Sequence, residues 1–278
     1  MGRITRSIEL FKQSWGILKQ DRELIWLPAI SAIISLVLAA IVLVPVALAQ
    51  DWDALTNGNE EISAGPGTIA AGIFLTLALA FISIFFRGAL VSGAHERMSG
   101  GDPTVRSAIA GAVERLPKLF SWALITVIVG TILRAIEERS GMIGRFVIGL
   151  VGMAWAVTTF LVVPVIIIEN IGAIDSTKRS VDLFRRTWGE NLSAQVGFGI
   201  IGFLIFIPIL LLGVAGAAIG TVLGFVLIAA AIVAAVITMV VMSALGAIFQ
   251  TALYHYAVGD EQVNGFEPAV MHSSFAPR

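Results

Sequence analysis

Long apolar segments separated by short polar ones dominate the pattern of this chain. A helix needs about 20 apolar residues to cross the hydrocarbon core of a bilayer. Six segments approach or exceed that length, and the sequence therefore predicts six membrane-spanning helices. They lie at about 24–49, 68–92, 120–136, 146–168, 192–212 and 221–249.

The last two predicted spans are the hardest to separate, because no Asp, Glu, Lys or Arg occurs between Glu190 and Asp260. That interval is long enough for two crossings. Gly213, Gly216 and Gly220 offer positions where the chain turns back, since glycine adopts the backbone conformations of tight turns.

Three shorter segments mix apolar and charged residues at helical spacing. They lie at about 4–20, 103–118 and 174–190. In the first, apolar residues recur at steps of three and four, namely Ile4, Ile8, Phe11, Trp15 and Leu18. This spacing forms one face of an amphipathic helix, with the cations mainly on the other faces. Two interpretations stay open: a helix lying in the lipid interface, or a helix packed on the loops of its own bundle.

The middle segment has its own start signals. Gly100 and Gly101 indicate a turn, Asp102 is the expected N-cap, and Pro103 follows at the first helical position. Its predicted apolar stripe is Val105, Ile109, Val113, Leu116 and Phe120.

The first and third of these segments contain an internal repeat. Residues 6–16 read RSIELFKQSWG and residues 179–189 read RSVDLFRRTWG, with six identical positions. The middle segment shares only Arg106 and Ser107 with them. We therefore predict three units, each an amphipathic helix followed by two spans, in which the middle unit is equivalent by topology alone.

Composition decides the class of protein. The 278 residues are 57% hydrophobic and 13% charged, with a mean hydropathy of +0.92. A soluble domain carries about 25% charged residues, and a buried core does not account for so large a shortfall. The chain is therefore expected to be an all-α polytopic membrane protein. It contains no cysteine, which excludes disulfides and thiolate metal sites.

Fifteen of the 18 Lys and Arg residues lie on one side of the predicted topology, and Arg134, Arg139 and Arg145 lie on the other. The positive-inside rule then places both termini and all three amphipathic helices in the cytoplasm. We expect a multi-pass protein of the cell (cytoplasmic) membrane, with one six-span domain over 1–253. Residues 254–278 are predicted to form a cytoplasmic tail with a short helix starting at Pro268.

The sequence from His95 to Ser99 begins like the helix signature of zinc proteases, but Ser99 stands where the second His must be. Without two His on adjacent turns the metal lacks its paired ligands. The chain shows no pattern of catalytic residues, cofactor binding or nucleic-acid binding. We predict no catalytic, metal or cofactor residues.

Arg87 is the only cation well inside an apolar run, and ionisable residues in a span are functional candidates. Glu96 and Glu169 are candidate partners for it. The alternative is that Arg87 extends along the helix so that its charge reaches the headgroup region. The basic residues of the third segment are candidates for contact with lipid, together with the two tryptophans of the repeat. These are Lys178, Arg179, Arg185 and Arg186, with Trp15 and Trp188.

Small residues and prolines give two weaker signals. Gly216, Gly220 and Gly224 stand at steps of four, a spacing that lets two helices approach closely. Four prolines inside predicted spans are candidates for helix kinks. They are Pro28, Pro45, Pro164 and Pro208.

The chain resembles an uncharacterised family of six-span prokaryotic integral membrane proteins, classed as a domain of unknown function. The similarity rests on RSIELFKQSWGILKQDRELIWLP, GAHERMSGGDPTVRSAIAGA, VVPVIIIENIGAIDSTKRSVDLFRRTWGE and ALYHYAVGDEQVNGFEPAVMHSSF. More distantly, the chain is similar to the membrane domains of some bacterial glycerophosphodiester phosphodiesterases. The resemblance implies a fold and a location in the membrane, and no known chemistry.

Three functional hypotheses follow. The first is a non-enzymatic membrane scaffold or accessory subunit, with the lipid bilayer and a membrane-protein partner or a second copy as its partners. The second is a small-solute transporter or channel that uses Arg87. The third is a lipid-acting membrane enzyme that uses His95, Glu96 and Asp102, which also fit a helix end and a cap.

Overall fold

The computed structural model of the protein describes residues 3–48, 65–186, 188–260 and 264. All regular elements in that part of the chain are helices. In order they are α1 (Arg3–Gln20), a 3-10 turn (Arg22–Ile25), α2 (Trp26–Leu48), α3 (Pro66–Met98), α4 (Val105–Val113), α5 (Leu116–Glu138), α6 (Met142–Thr158), α7 (Val162–Ile168), α8 (Ala173–Arg186), α9 (Trp188–Ile219) and α10 (Val222–Val258).

Six helices in the described residues are long and apolar enough to cross a membrane, which confirms the predicted number. They are α2 with the turn before it, α3, α5, α6 together with α7, most of α9, and α10. With 33 and 37 residues, α3 and α10 measure about 50–55 Å at 1.5 Å per residue. Both therefore exceed the hydrocarbon core of about 30 Å and extend beyond it.

The buried core lies at one end of the bundle, which we call the core end. The final turns of α3 and α10 pack here against α7 and the start of α5, and Leu90, Leu119, Ile166 and Leu245 are all but inaccessible. The other end leaves large apolar side chains uncovered, with Met142 at 90% and Val222 at 80% exposure. Such surfaces are unfavourable in water and fit contact with lipid chains.

The short helix α1 packs on the core end through a face that differs from the predicted stripe. Ser14, Ile17 and Leu18 are buried, whereas Trp15 is 38% exposed. The packed face is therefore displaced from the predicted stripe, which contained Trp15 and Leu18 but neither Ser14 nor Ile17. An apolar stripe in the sequence does not show which of its two edges packs against the rest of the protein. In α1 the edge with Ile17 and Leu18 packs against the bundle.

The short helix α4 also buries small residues rather than its predicted stripe. Ala108 and Ala112 are fully buried, and Val113 is half exposed. The reason is the close approach of α3, because a Cβ added at Gly93 would lie 3.3 Å from the Cβ of Ala108. Larger side chains do not fit between two helices that approach this closely.

The start of α4 corrects a second expectation. Thr104 is the N-cap: its hydroxyl accepts a hydrogen bond from the backbone N–H of Ser107, and the Ser107 hydroxyl accepts one from the N–H of Thr104. This reciprocal pair is a capping box. Asp102, the predicted N-cap, instead contacts Arg97. The helix also ends at Val113, earlier than predicted.

The chain turns back between spans five and six at Gly220, one of the three glycines predicted for this turn. Gly220 has a φ of +63° between α9 and α10, a conformation that glycine adopts without steric cost. Just before and after this turn the backbones nearly touch, since a Cβ added at Gly224 would lie 2.4 Å from the carbonyl oxygen of Gly216. The two glycines therefore allow the tight packing of α9 on α10.

Span four is interrupted between α6 and α7, at residues 159–161. Pro164 follows the interruption and has no N–H for the carbonyl of Phe160, four residues earlier. The side-chain amide of Gln250 donates to that carbonyl instead. Ser180 donates to the carbonyl of Thr158 and accepts from the N–H of Leu161. The predicted effect of a proline on its helix thus holds at Pro164, whereas Pro45 and Pro208 lie inside continuous helices.

The predicted orientation, the threefold arrangement of units and the interfacial position of the short helices remain predictions. The predicted helix at Pro268 lies outside the described residues.

Candidate functional site

The core end gathers most of the polar side-chain contacts of the described residues, and Arg97 holds the first of them. Its Nε lies 2.5 Å from Asp21 Oδ2, and its Nη2 contacts Asp21 Oδ1 and lies 2.7 Å from Asp102 Oδ1. Asp21 is almost completely buried and Asp102 is exposed. Arg97 therefore joins the segment after α1 to the loop after α3.

Glu96 contacts the capping box of α4. Its Oε2 accepts a hydrogen bond of 2.8 Å from the hydroxyl of Ser107. The backbone N–H of Val105, at the start of the same helix, lies 3.4 Å from Glu23 Oε2. Two carboxylates thus surround the N-terminus of α4, where the helix dipole favours negative charge.

His95 and His255 form a pair that the sequence did not indicate. Nδ1 of His95 lies 3.0 Å from Nε2 of His255, and Nδ1 of His255 lies 2.7 Å from Asp260 Oδ2. The carboxylate favours an N–H at Nδ1 of His255, so its Nε2 is the acceptor and His95 is the donor. The two histidines are 160 residues apart in the chain. The described residues contain no group of three or more potential ligands that could hold a metal.

Glu169 links three elements. Its Oε1 accepts hydrogen bonds of 2.9 Å from Arg179 Nε on α8 and from the hydroxyl of Tyr254 on α10. The hydrogen bond that Arg179 donates to Glu169 raises the pKa of the Arg179 guanidinium above its ordinary value. Arg179, an expected lipid contact, therefore binds within the protein, and Glu169 is not a partner of Arg87.

The other predicted lipid contacts lie on α8, on α1 and at the start of α9. Lys178 is largely exposed and 3.3 Å from Asp175, and Arg185 is exposed. The side chains of Arg186 and Trp188 lie outside the description. Trp15 lines an apolar groove of about 340 Å³ between α1 and spans five and six.

Arg87, whose side chain is exposed on the surface of the bundle, lines a second cavity of about 220 Å³, which we call the Arg87 crevice. Its polar lining consists of Arg87 and four serines from three helices. Ser31 and Ser35 belong to α2, Ser83 and Arg87 to α3, and Ser243 to α10. Each pair on one helix is spaced by four residues, which puts both side chains on the same face.

The polar side chains of the crevice form no hydrogen bonds or ion pairs with one another or with other described residues. None of the four hydroxyls forms a hydrogen bond within the described residues, and Arg87 forms no ion pair there. Glu96, its other predicted partner, is bound to Ser107. An arginine and four hydroxyls that face one cavity form a site with donors and no acidic group.

A family of unknown function, DUF6159, matches residues 68–265, more than half of the chain. The chain belongs to this family. The part matched by DUF6159 contains Arg87, the histidine pair and the second copy of the repeat, whereas α1, α2 and the first copy precede it. No curated protein and no solved structure matches the chain. The distant similarity to glycerophosphodiester phosphodiesterases therefore has no support from these comparisons.

Sequence reasoning found Arg87 in this DUF6159 protein but not the serines around it. Ser31 and Ser35, four residues apart in an apolar segment, were the available signal. That signal was incomplete, because only the packing of α2, α3 and α10 brings the hydroxyls to Arg87. The donors of this crevice suit a group that carries negative charge and several hydrogen-bond acceptors.

Proposed function

We propose that this DUF6159 protein is a non-enzymatic scaffold or accessory subunit of the cell membrane, which holds anionic lipid and a membrane-protein partner at its core end. The observation that carries the proposal is the attachment of α8. Ser180 and Arg179 bind the bundle through Thr158, Leu161 and Glu169. The helix is thereby fixed while Lys178 and Arg185 stay exposed on it.

The outward side of α8 supplies the charge for this role. Lys178 is 73% exposed, and Arg185 is also exposed. A cation close to an anionic membrane surface contributes about 1 kcal/mol of attraction. The orientation expected from the charge distribution turns α8 towards the anionic inner leaflet. The ion pair of Lys178 with Asp175 is exposed on both sides, so it competes only weakly with lipid phosphate.

The alternative of a lipid-acting enzyme has less support. His95, Glu96 and Asp102, its three candidate residues, contact His255, Ser107 and Arg97 respectively. These contacts connect elements of the fold, and we infer that they stabilise it.

The test is purification of the tagged full chain in native nanodiscs, followed by lipid analysis and protein stoichiometry by mass spectrometry. The variant Lys178→Ala/Arg185→Ala removes two cations from α8. The matched control, Arg134→Ala/Arg139→Ala, removes two exposed arginines from the far end of α5. We expect the first variant to lose enriched anionic lipid and a partner present at fixed ratio, and the control to retain both.

Equal lipid composition in the wild type and both variants, with no partner at a fixed ratio and no homo-oligomer, would contradict the proposal. A partner retained by all three proteins would show instead that the scaffold acts through its apolar spans and not through α8.

A small-solute transporter is the second candidate function, and two observations favour it. Span four is interrupted at residues 159–161, and Arg87 faces a cavity. Discontinuous helices often accompany substrate sites in transporters. The test is anion flux into proteoliposomes that contain the full chain. Transport requires flux above empty vesicles that Arg87→Ala abolishes and Arg134→Ala preserves.

A further inference from the structure

The Arg87 crevice concentrates hydrogen-bond donors in an otherwise apolar region. Arg87 and Ser83 come from α3, Ser31 and Ser35 from α2, and Ser243 from α10. A guanidinium presents five N–H groups in a planar fork, and each serine adds one O–H. No Asp or Glu of the described residues lines the cavity. The electrostatic character of the crevice is therefore that of an anion site.

The hydroxyls of the crevice differ from two threonine hydroxyls on the same helices. Thr76 on α3 and Thr238 on α10 each donate to the carbonyl four residues earlier, as hydroxyls in apolar helices commonly do. The four crevice serines make no such bond within the described residues. Their donors are consequently free to bind a ligand, and they reach the cavity from three helices.

The charge of Arg87 also lacks compensation within the described residues. Removing a cation from water is costly unless it meets an anion or hydrogen-bond acceptors. Glu96 and Glu169 bind Ser107 and Arg179 instead. An external anion in the crevice would supply the missing partner.

The depth of the crevice suits a group at the membrane surface. Arg87 precedes the end of α3 at Met98 by 11 residues, or about 16 Å of helix. The helix α3 is about 50 Å long and the hydrocarbon core is about 30 Å thick. When α3 is centred in the membrane and perpendicular to it, roughly 10 Å of helix extends beyond the core at each end. Arg87 then lies about 6 Å inside the hydrocarbon boundary. An arginine side chain spans that distance, so the anion it binds lies near the level of lipid headgroups.

We propose that the Arg87 crevice binds a phosphate group, through two parallel hydrogen bonds from the guanidinium and further bonds from the serine hydroxyls. Arginine suits phosphate because its fork matches two phosphate oxygens. The hydroxyls of three helices donate to the remaining phosphate oxygens. A carboxylate has only two oxygens and would leave these hydroxyls without an acceptor. The phosphate belongs either to a lipid headgroup or to a free phosphate ion, two sources with the same chemistry.

The experiment measures ligand-dependent stabilisation of the delipidated full chain in mixed micelles. The probes are dioleoyl phosphatidic acid, dioleoylglycerol with the same chains but no phosphate, oleate as a carboxylate, and sodium phosphate. Arg87→Ala tests the charge, and Ser31→Ala/Ser35→Ala tests the hydroxyls while keeping it. The matched control is Arg134→Ala, which removes an exposed arginine at the other end of the bundle.

We expect wild type and Arg134→Ala to bind phosphatidic acid alike, and Arg87→Ala to bind it at least about tenfold more weakly, as for lost hydrogen bonds to a charged group. The serine variant should lose about threefold or more. Stabilisation by phosphatidic acid alone identifies a headgroup site, and stabilisation by sodium phosphate as well identifies a site for the free ion.

Equal affinity of Arg87→Ala and Arg134→Ala for phosphatidic acid would overturn the proposal, and it would indicate that Arg87 only reaches to the interface. Equal stabilisation by dioleoylglycerol or by oleate would overturn the assignment to phosphate. If Arg87→Ala does not fold, the test rests on Ser31→Ala/Ser35→Ala, because this variant keeps the cation. An affinity of the serine variant for phosphatidic acid equal to that of the wild type would then refute the site.

Discussion

The side-chain amide of Gln250 donates a hydrogen bond to the backbone carbonyl of Phe160, in the interruption of span four. Pro164 is the residue whose N–H would serve that carbonyl in a regular helix, and proline has none. Gln250 is almost completely buried. An unpaired carbonyl at this depth costs several kcal/mol because no water replaces the lost partner. A glutamine of span six thus stabilises a break in span four.

This relationship predicts a coupling between positions 250 and 164. We expect Gln250→Leu to lower the free energy of unfolding by about 1–3 kcal/mol, since it leaves the Phe160 carbonyl unpaired. In a Pro164→Ala background the same change should cost distinctly less, because alanine offers a backbone N–H to that carbonyl. Equilibrium unfolding of the four proteins in mixed micelles measures the coupling. Identical losses in both backgrounds would show that the two residues act independently.

Arg97 predicts a contrast between its two carboxylate partners. The Asp21 side chain is 4% exposed and that of Asp102 is 92% exposed. Asp21→Asn should destabilise the protein by about 2–4 kcal/mol, because it removes the buried carboxylate beside the largely desolvated Arg97 guanidinium. Only the exposed carboxylate of Asp102 then remains as its partner. Asp102→Asn should cost at most about 1 kcal/mol, since water replaces an exposed partner. Unfolding in mixed micelles checks both, and similar effects of the two variants would contradict this assignment.

The glycines between spans five and six predict a second contrast. Gly224→Ala should prevent the observed packing of α9 on α10, because the added methyl would lie 2.4 Å from the Gly216 carbonyl oxygen. At Gly213 the nearest atom would be at an ordinary 3.6 Å, and Gly213→Ala is the control. We expect about 2 kcal/mol or more of destabilisation for the first and little change or a slight gain for the second. Thermal unfolding measures both, and a neutral Gly224→Ala would mean that the helices separate at low cost.

The sequence was sufficient for properties that depend on segment length and local chemistry. Apolar length predicted the six spans, and the glycines between spans five and six predicted a turn there, which lies at Gly220. Each of these features depends on groups that are close along the chain or on the thickness of the bilayer.

Properties that depend on distant partners were missed. Asp102 and Thr104 both suit an N-cap, and the choice between them coincides with the contact of Asp102 with Arg97. The histidine pair joins residues 160 positions apart, and the crevice serines come from three helices. Local patterns contain no information about which helix faces meet, so these sites became visible only through packing.

Two buried serines on the short helices should respond oppositely to mutation. Ser180 binds Thr158 and Leu161 at the interruption of span four, whereas the Ser14 hydroxyl has no hydrogen-bond partner among the described residues. Ser180→Ala should cost about 1–3 kcal/mol, because it leaves a backbone carbonyl and a backbone N–H unpaired. Ser14→Ala should be neutral or should stabilise by up to about 1 kcal/mol, since it removes a buried hydroxyl without a partner. Unfolding in mixed micelles compares them, and a costly Ser14→Ala would show that this hydroxyl has a partner after all.

The charge distribution predicts the orientation of the bundle, and the absence of cysteine makes the prediction easy to test. Arg139→Cys places a thiol just after α5, at one of the three arginines on the opposite side of the predicted topology, and Lys178→Cys places one on the outer side of α8. Both parent side chains are exposed, so either thiol is accessible to a reagent on its own side of the membrane. If the core end faces the cytoplasm, a membrane-impermeant maleimide added to intact cells labels Arg139→Cys at once. It then labels Lys178→Cys only after the membrane is permeabilised. The reverse pattern would invert the topology and would turn α8 away from the anionic inner leaflet, which would remove the electrostatic basis for lipid binding at Lys178 and Arg185.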